Sequence, residues 1–458
     1  FKPFVGMKAG TEKAHGVLKA YQGPRLRIWE INVEGPHVEA WPTVGHRALY
    51  GNLTPDELNA ESIARQLEVF AKQAFRRSPL KGELVPIQRL VASKLDEGVE
   101  PLHVLQLGCQ AILCSPGFLY LNLGEGELNE VALASRLSYF LWSSAPDETL
   151  LKLATAGKLR SGLSAQVKRM LAHPKSDRFI THFVRRWLDL DNIGAMPPSQ
   201  DFLVYYRDNL ETAMRNETEM FFRHVLKYNL PLREFLEADY SFLNRELALH
   251  YGIKGVQGND LQRVSLQGNT RGGLLGQGAL LTASANGVDT SPVVRGIYVL
   301  EKLLGYTPPP PPPDVPTIEP DIRGAKTIRE QLVKHREIAT CAECHRKIDP
   351  LGFALENYDA IGGWRGEYGR NLPIDASGKL PDGKIFKTPA EFRQLMIERH
   401  IQFTRNLTEK LLTYAVGREL AALDRPHIDS IVREMKKDNK GLSDLIEAVV
   451  LSEVFLKN

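Results

Sequence analysis

The chain has 458 residues, a formal net charge of +3, 43% apolar and 25% charged side chains. That is too long for one hydrophobic core and ordinary for a globular chain of several domains. Acidic and basic residues are interspersed, so nothing points to nucleic acid, and no run of about 18 apolar residues free of charge suggests a membrane span.

The four cysteines are too few for a disulfide framework. The chain starts at Phe1 with no signal peptide and reads as a fragment or processed form, so its own N-terminus carries no address.

Residues 1–54 read as the end of a β-rich module. Over residues 25–34, Trp29, Ile31 and Val33 alternate with polar neighbours at the strand period, and Gly23-Pro24, Gly35-Pro36 and Trp41-Pro42 punctuate the segment. From Pro55 the period becomes helical, with Ile63, Leu67, Phe70, Ala71, Ala74 and Phe75 on one face until Ser78-Pro79. Further helices are expected near 84–95, 101–114, 128–142, 147–155, 163–172, 175–190 and 207–228. Helical domains are drawn at 55–124 and 125–231.

A third domain is drawn at 232–370. Within it, 239–251 continues the helical pattern and 255–268 reads as loop. The glycine-rich run 271–278 matches neither a P-loop nor a dinucleotide fingerprint and reads as a close-packed turn. Ser291-Pro292 opens a helix that runs to Leu304, with proline in the first turn where its missing N–H costs little. Six consecutive prolines, 308–313, form a stiff polyproline II strut. Residues 326–336 are helical in pattern. A C-terminal helical domain is drawn at 371–458; turn signals at 375–378 and 381–383 bracket a short hairpin, and helices follow from Pro389.

The most informative string is Cys341-Ala342-Glu343-Cys344-His345, the C-x-x-C-H spacing of covalent c-type haem attachment. Two cysteines three apart on one helical turn reach both vinyl groups of a porphyrin, and the histidine that follows ligates iron from the proximal side. Two other readings stay open. With Cys109 and Cys114 the pair could form a four-thiolate zinc site, although those two lie in an apolar stretch where cysteine behaves as a small hydrophobe. The pair could also be a redox dithiol, although no strand of thioredoxin type precedes it.

The stretch from His335 through the haem motif to Asp349-Pro-Leu-Gly-Phe-Ala-Leu-Glu-Asn-Tyr-Asp359 and Gly363-Trp364-Arg365 resembles the planctomycete-type cytochrome-c-like multidomain proteins, built from domains of unknown function 1595, 1592, 1588 and 1585. Ala134 to Trp142 with Pro146-Asp147-Glu148 resembles the opening of the second domain. Asp239-Tyr240, Phe242-Leu-Asn244, His250-Tyr251-Gly252, Arg271-Gly-Gly-Leu-Leu275 and Thr290-Ser-Pro-Val-Val-Arg-Gly296 resemble the third, and Leu407 to Arg418 the last. The likeness covers about residues 55–458, with several unrelated motifs in one order. It implies one covalent haem c per chain and a periplasmic or exported location, and it supplies no substrate. Proteins of this kind often carry a further N-terminal cytochrome c module, which this sequence does not include; that module or a separate redox protein is the expected partner.

The expected architecture is therefore mainly α and multi-domain, with a small β-rich N-terminal segment, the polyproline strut and a c-type haem segment. Cys341, Cys344 and His345 hold the haem, His345 as proximal iron ligand. His335 or Met396 is the candidate distal or neighbouring group; Met396 also fits a core position, and His400 and His427 are weaker candidates. Arg365 is a candidate partner for the haem propionates, while Arg295 reads better as structural. Asp349 before Pro350 reads as a turn or cap residue, and Glu217 interrupts an apolar stripe as a buried, partnered carboxylate.

The resulting function is an extracytoplasmic c-type haem protein in redox chemistry, either electron transfer or a peroxidase- or oxygenase-like oxidoreductase. The alternative is a structural or carbohydrate- or envelope-binding module, with polysaccharide as its ligand, in which the Cys/His site is zinc or merely braces the fold. No Ser-His-Asp signature, H-E-x-x-H or nucleotide motif supports a hydrolase or kinase.

Overall fold

The structure is a computed structural model. It describes residues 29–309 and 339–458, except 36, 38, 39, 41, 52, 54–56, 122–125, 195, 196, 267–269, 369–371 and 438–439, and also 327, 329, 330 and 332; for residues 339–341 it describes the backbone alone. His335, prolines 310–313 and most of the helix expected over 326–336 lie outside the described residues. The described chain divides into two units. One takes in the chain to Tyr139 with Ser143–Gly162 and Lys457–Asn458; the other comprises Phe140–Trp142 and Leu163–Leu456.

Near the start, residues 29–35 form no strand, and Trp29, Ile31 and Val33 are 72–87% exposed. Residues 1–28 of the expected β-rich module lie outside the described residues; a strand needs a hydrogen-bonded neighbour and a surface to bury against, and, among the described residues, 29–35 have neither.

The core of the first unit is built by α1 (Ala60–Ala74), α2 (Val85–Asp96) and α3 (Pro101–Leu113). Asn59 starts α1 with a reciprocal cap: its side chain accepts from the N–H groups of Glu61 and Ser62, and Ser62 Oγ accepts from Asn59 N–H. Ile63, Leu67 and Ala71 of α1 then meet Val104, Leu105 and Ile112 of α3, all buried. At Gly108 a Cβ would lie 2.6 Å from a Leu67 methyl, so glycine sets the α1–α3 approach. The segments Glu130–Trp142 (α4) and Glu148–Thr155 (α5) start on Asn129 and Asp147 caps. Buried Arg136 of α4 donates to the Lys457 carbonyl at 2.6 Å and tethers the last residues to this unit.

In the second unit, α6 (Leu163–Leu171), α7 (Ser176–Trp187) and α8 (Leu210–Lys227) lead into two antiparallel strands, β1 (Tyr240–Leu243) and β2 (Gln262–Ser265). The helix α9 (Arg245–His250) lies between them in sequence. This ladder corrects the sequence reading of 239–251 as wholly helical and 255–268 as loop. β1 is buried along its length and β2 mostly exposed, so neither shows alternation.

Next come α10 (Gly278–Ala283), α11 (Pro292–Tyr298) and α12 (Ala339–Phe353). Ser291 caps α11 and a π-helical turn, Val299–Leu303, extends it to the length expected. Two short ladders follow: β3 (Glu367–Tyr368) with β4 (Leu372–Pro373), and β5 (Gly378–Lys379) with β6 (Ile385–Phe386), the latter the expected hairpin. The chain ends in α13 (Pro389–Glu398), α14 (His400–Val416), α15 (Arg425–Met435) and α16 (Leu442–Leu451).

An aromatic cluster fills the core of this unit. Phe179, Phe183 and Trp187 stand one turn apart on α7, with successive ring centroids 5.6 and 5.7 Å apart. They meet Phe222 of α8 and Phe403 and Tyr414 of α14. The fold is mainly α, and among the described residues no helix is long and apolar enough to cross a membrane.

Candidate functional site

The Cys-x-x-Cys-His string lies on α12, which places Cys341, Cys344 and His345 within about one turn of backbone. Cys344 is a partly exposed thiol. The ring of His345 is largely buried, and its Nδ1 lies 2.8 Å from Oδ1 of Asp349, one turn further on and almost wholly buried. Asp349 is therefore inside the helix and paired with the motif histidine, which corrects its reading as a turn or cap residue. With Nδ1 engaged by a carboxylate, Nε2 is the nitrogen that would ligate a metal.

Pro350 sits in the same helix, where its ring removes the N–H that would bond to Arg346. The helix survives because it crosses α11 in direct backbone contact. A Cβ at Gly296 would collide with the Ile348 carbonyl, and a Cβ at Gly352 with the Pro292 carbonyl. Each helix thus presents a glycine at the crossing.

Arg295, on α11 beside Gly296, is fully buried. Its Nη1 donates to the carbonyls of Leu355 (2.9 Å) and Tyr358 (2.6 Å), and its Nη2 to that of Asp359 (2.6 Å). Burial pulls its pKa down to about 10. Its donors hold the loop that leaves α12, which agrees with a structural arginine. Asp359 stiffens the same loop by accepting from the N–H groups of Ile361 (2.9 Å) and Gly363 (2.7 Å).

Arg365 ends this loop. Its Nη2 reaches Thr290 Oγ1 (2.9 Å) and Oε2 of fully buried Glu356 (3.4 Å), while its Nε donates to the Glu356 carbonyl (3.2 Å). Tyr368 and Thr290 also donate to Glu356 Oε2, at 3.0 and 2.9 Å. Burial first, then the Glu356 charge, pushes the Tyr368 pKa up. These Arg365 donors are occupied by Glu356 and Thr290, so a propionate would have to share them.

The other candidates are spread over the fold. Met396 is fully buried on α13, whose neighbours include Glu234–Glu237, β6 and α14, as a core residue would be. His400 bonds back to the Ile397 carbonyl (3.0 Å), and His427 lies 3.9 Å from Glu453. Cys109 is buried in the first unit, where burial raises its thiol to about 11. It packs into the apolar core of that unit, as a small hydrophobe does. Among the described residues no three His, Cys, Asp or Glu side chains gather to hold a metal ion. The donors on α12, two cysteines three apart and a histidine oriented through Nδ1, fit covalent haem.

A second polar constellation lies beneath the loop. Oε1 of Glu217, on α8, accepts from Ser241 (2.5 Å), and Oε2 from Tyr251 (2.6 Å). The Tyr251 hydroxyl also accepts from Gly278 N–H (2.6 Å). Complete burial raises the Glu217 carboxyl to about 7 against these hydrogen bonds and the Arg271 charge. Arg271 stacks on Tyr251, 3.7 Å from the ring centroid, and donates to the carbonyls of Gly276 and Gly362. The sequence singled out Glu217 through its break in an apolar stripe. Its partners carry no local signal, because Ser241 and Tyr251 arrive from β1 and the turn after α9.

Four protein-family profiles match in order: Protein of unknown function DUF1595 over residues 63–122, DUF1592 over 128–253, DUF1588 over 271–368 and DUF1585 over 382–455. The chain belongs to this planctomycete cytochrome-c-like domain series. Its DUF1588 segment holds the whole α11–α12 crossing, the C-x-x-C-H string and Arg365. Glu217, Ser241 and Tyr251 come from the DUF1592 segment, and Arg271 is the first matched residue of DUF1588, so the buried cluster joins the two. Nothing among the curated proteins or the solved structures matches the chain.

Proposed function

We propose that the chain is an extracytoplasmic c-type haem protein in a redox pathway, its haem joined through Cys341 and Cys344 and ligated by His345. The observation that carries this reading is the histidine of the C-x-x-C-H string, largely buried on its helix with Nδ1 held by Asp349 at 2.8 Å. A bound haem would supply one-electron redox chemistry. The protein's residues do the rest. Asp349 orients the imidazole, the glycine crossing fixes α12 on α11, and Arg295 holds the following loop in one shape. Rigid surroundings keep reorganisation small when charge changes. Covalent attachment of haem c is an extracytoplasmic process in bacteria, which supports an exported location. A redox protein or a further cytochrome module is the partner this reading calls for.

The test is the visible spectrum of protein exported with a haem-attachment system, oxidised and reduced, with and without carbon monoxide. Covalent haem c bands support the proposal. Bands unmoved by carbon monoxide give a closed electron carrier; shifted bands give an open iron position suited to oxygen or peroxide. Stoichiometric zinc with no Soret band would overturn it.

A further inference from the structure

We propose that Asp349 is a positioning residue that strengthens the His345–iron bond and lowers the reduction potential of the haem. This rests on the haem reading above and goes beyond it, because C-x-x-C-H specifies only the ligand.

The distance of 2.8 Å between His345 Nδ1 and Asp349 Oδ1 is that of a charge-assisted hydrogen bond. The carboxylate is nearly inaccessible to water, with 1% of its side chain exposed, so its charge is weakly screened. A carboxylate accepting from Nδ1 pulls the ring proton toward itself and makes Nε2 more basic; a neutral carbonyl in the same place does so less. Negative charge one ring away from the iron favours the oxidised, more positive metal.

Helix stability does not explain this residue. Asp349 lies in the second half of α12, toward the negative end of the helix dipole, where an acidic side chain is unfavourable. Its backbone is fixed by the helix crossing, because Gly352, one turn on, meets Pro292, and Ile348 meets Gly296. The carboxylate is thus held at the histidine by the same crossing that anchors the helix.

The experiment measures the midpoint potential of the exported full chain by spectroelectrochemical titration in wild type, Asp349→Asn, Asp349→Glu and Glu343→Gln. The last removes a carboxylate from the same motif that is 58% exposed and pairs with Arg346. We expect Asp349→Asn to keep covalent haem and to shift the potential upward. Asp349→Glu should return part of the shift, and Glu343→Gln should move it much less. Asp349→Asn at the wild-type potential, or Glu343→Gln producing an equal shift, would overturn the inference. Should Asp349→Asn fail to accumulate, Asp349→Glu decides: a displaced carboxylate must move the potential upward, and an unmoved potential sinks the idea. Wild-type protein without haem c bands would overturn the haem reading itself, a failure visible before any potential is measured.

Discussion

The Tyr251 hydroxyl donates to Glu217 at 2.6 Å while accepting from Gly278 N–H at the same distance. One phenol therefore links α8 to the start of α10, with Arg271 stacked on its ring and bonded onward to Gly276 and Gly362. The carboxylate beneath it has no water to solvate its charge, and its pKa rises from 4.5 to about 7.

This has a consequence for pH. The folded protein holds the Glu217 proton more tightly than the unfolded chain, so this group's contribution to stability is full below about pH 4.5 and is lost as pH rises toward 7. The slope approaches about 1.4 kcal/mol per pH unit within that window. Glu217→Gln should flatten that part of the stability profile in urea titrations between pH 4.5 and 7. An unchanged slope would remove Glu217 as its source.

Adding one methyl group at the helix crossing should be costly. Gly296→Ala or Gly352→Ala places a Cβ against a backbone carbonyl that cannot rotate away. Overpacking of this kind costs about 1–3 kcal/mol. Thermal denaturation should show both variants well below wild type, while Gly366→Ala, where a Cβ would meet open space, stays close to it.

Arg295→Met keeps much of the side-chain volume and removes the donors to Leu355, Tyr358 and Asp359. Leaving buried carbonyls unsatisfied costs about 1–3 kcal/mol each. The variant should lose more stability than Arg346→Met, whose partner is the exposed Glu343. Chemical denaturation of the two variants side by side gives the comparison.

The two cysteines of the first unit should differ in reactivity. Cys114 is exposed, whereas burial holds the Cys109 thiol at about 11. Iodoacetamide at neutral pH should label Cys114 well before Cys109, as mapped by peptide mass. Equal rates would mean that α3 does not protect Cys109 as described.

Much of this fold was legible one segment at a time. The helices of both units repeat the apolar spacing of their sequences, and the caps at Asn59, Asn129, Asp147 and Ser291 stand where capping chemistry requires them. The β1–β2 ladder was not legible, since four buried residues followed by a distant exposed strand show no period of two. Residues 29–35 show the opposite case: an alternating pattern with no partner strand among the described residues is irregular.

At the candidate site, the C-x-x-C-H string of Cys341, Cys344 and His345 was readable from the chain order alone, because spacing along one helical turn is a local property. The sequence by itself also marked Glu217 as a buried carboxylate. The tertiary structure alone decided what those groups face. Asp349 became the histidine's partner when Pro350 was carried inside a helix that the Gly296–Gly352 crossing supports. Glu217 gained Ser241, Tyr251 and the neighbouring Arg271 from segments 24 to 54 residues away in the chain. Hydrogen bonding and desolvation act through space, and no period in a sequence encodes which distant segment arrives to satisfy a buried charge.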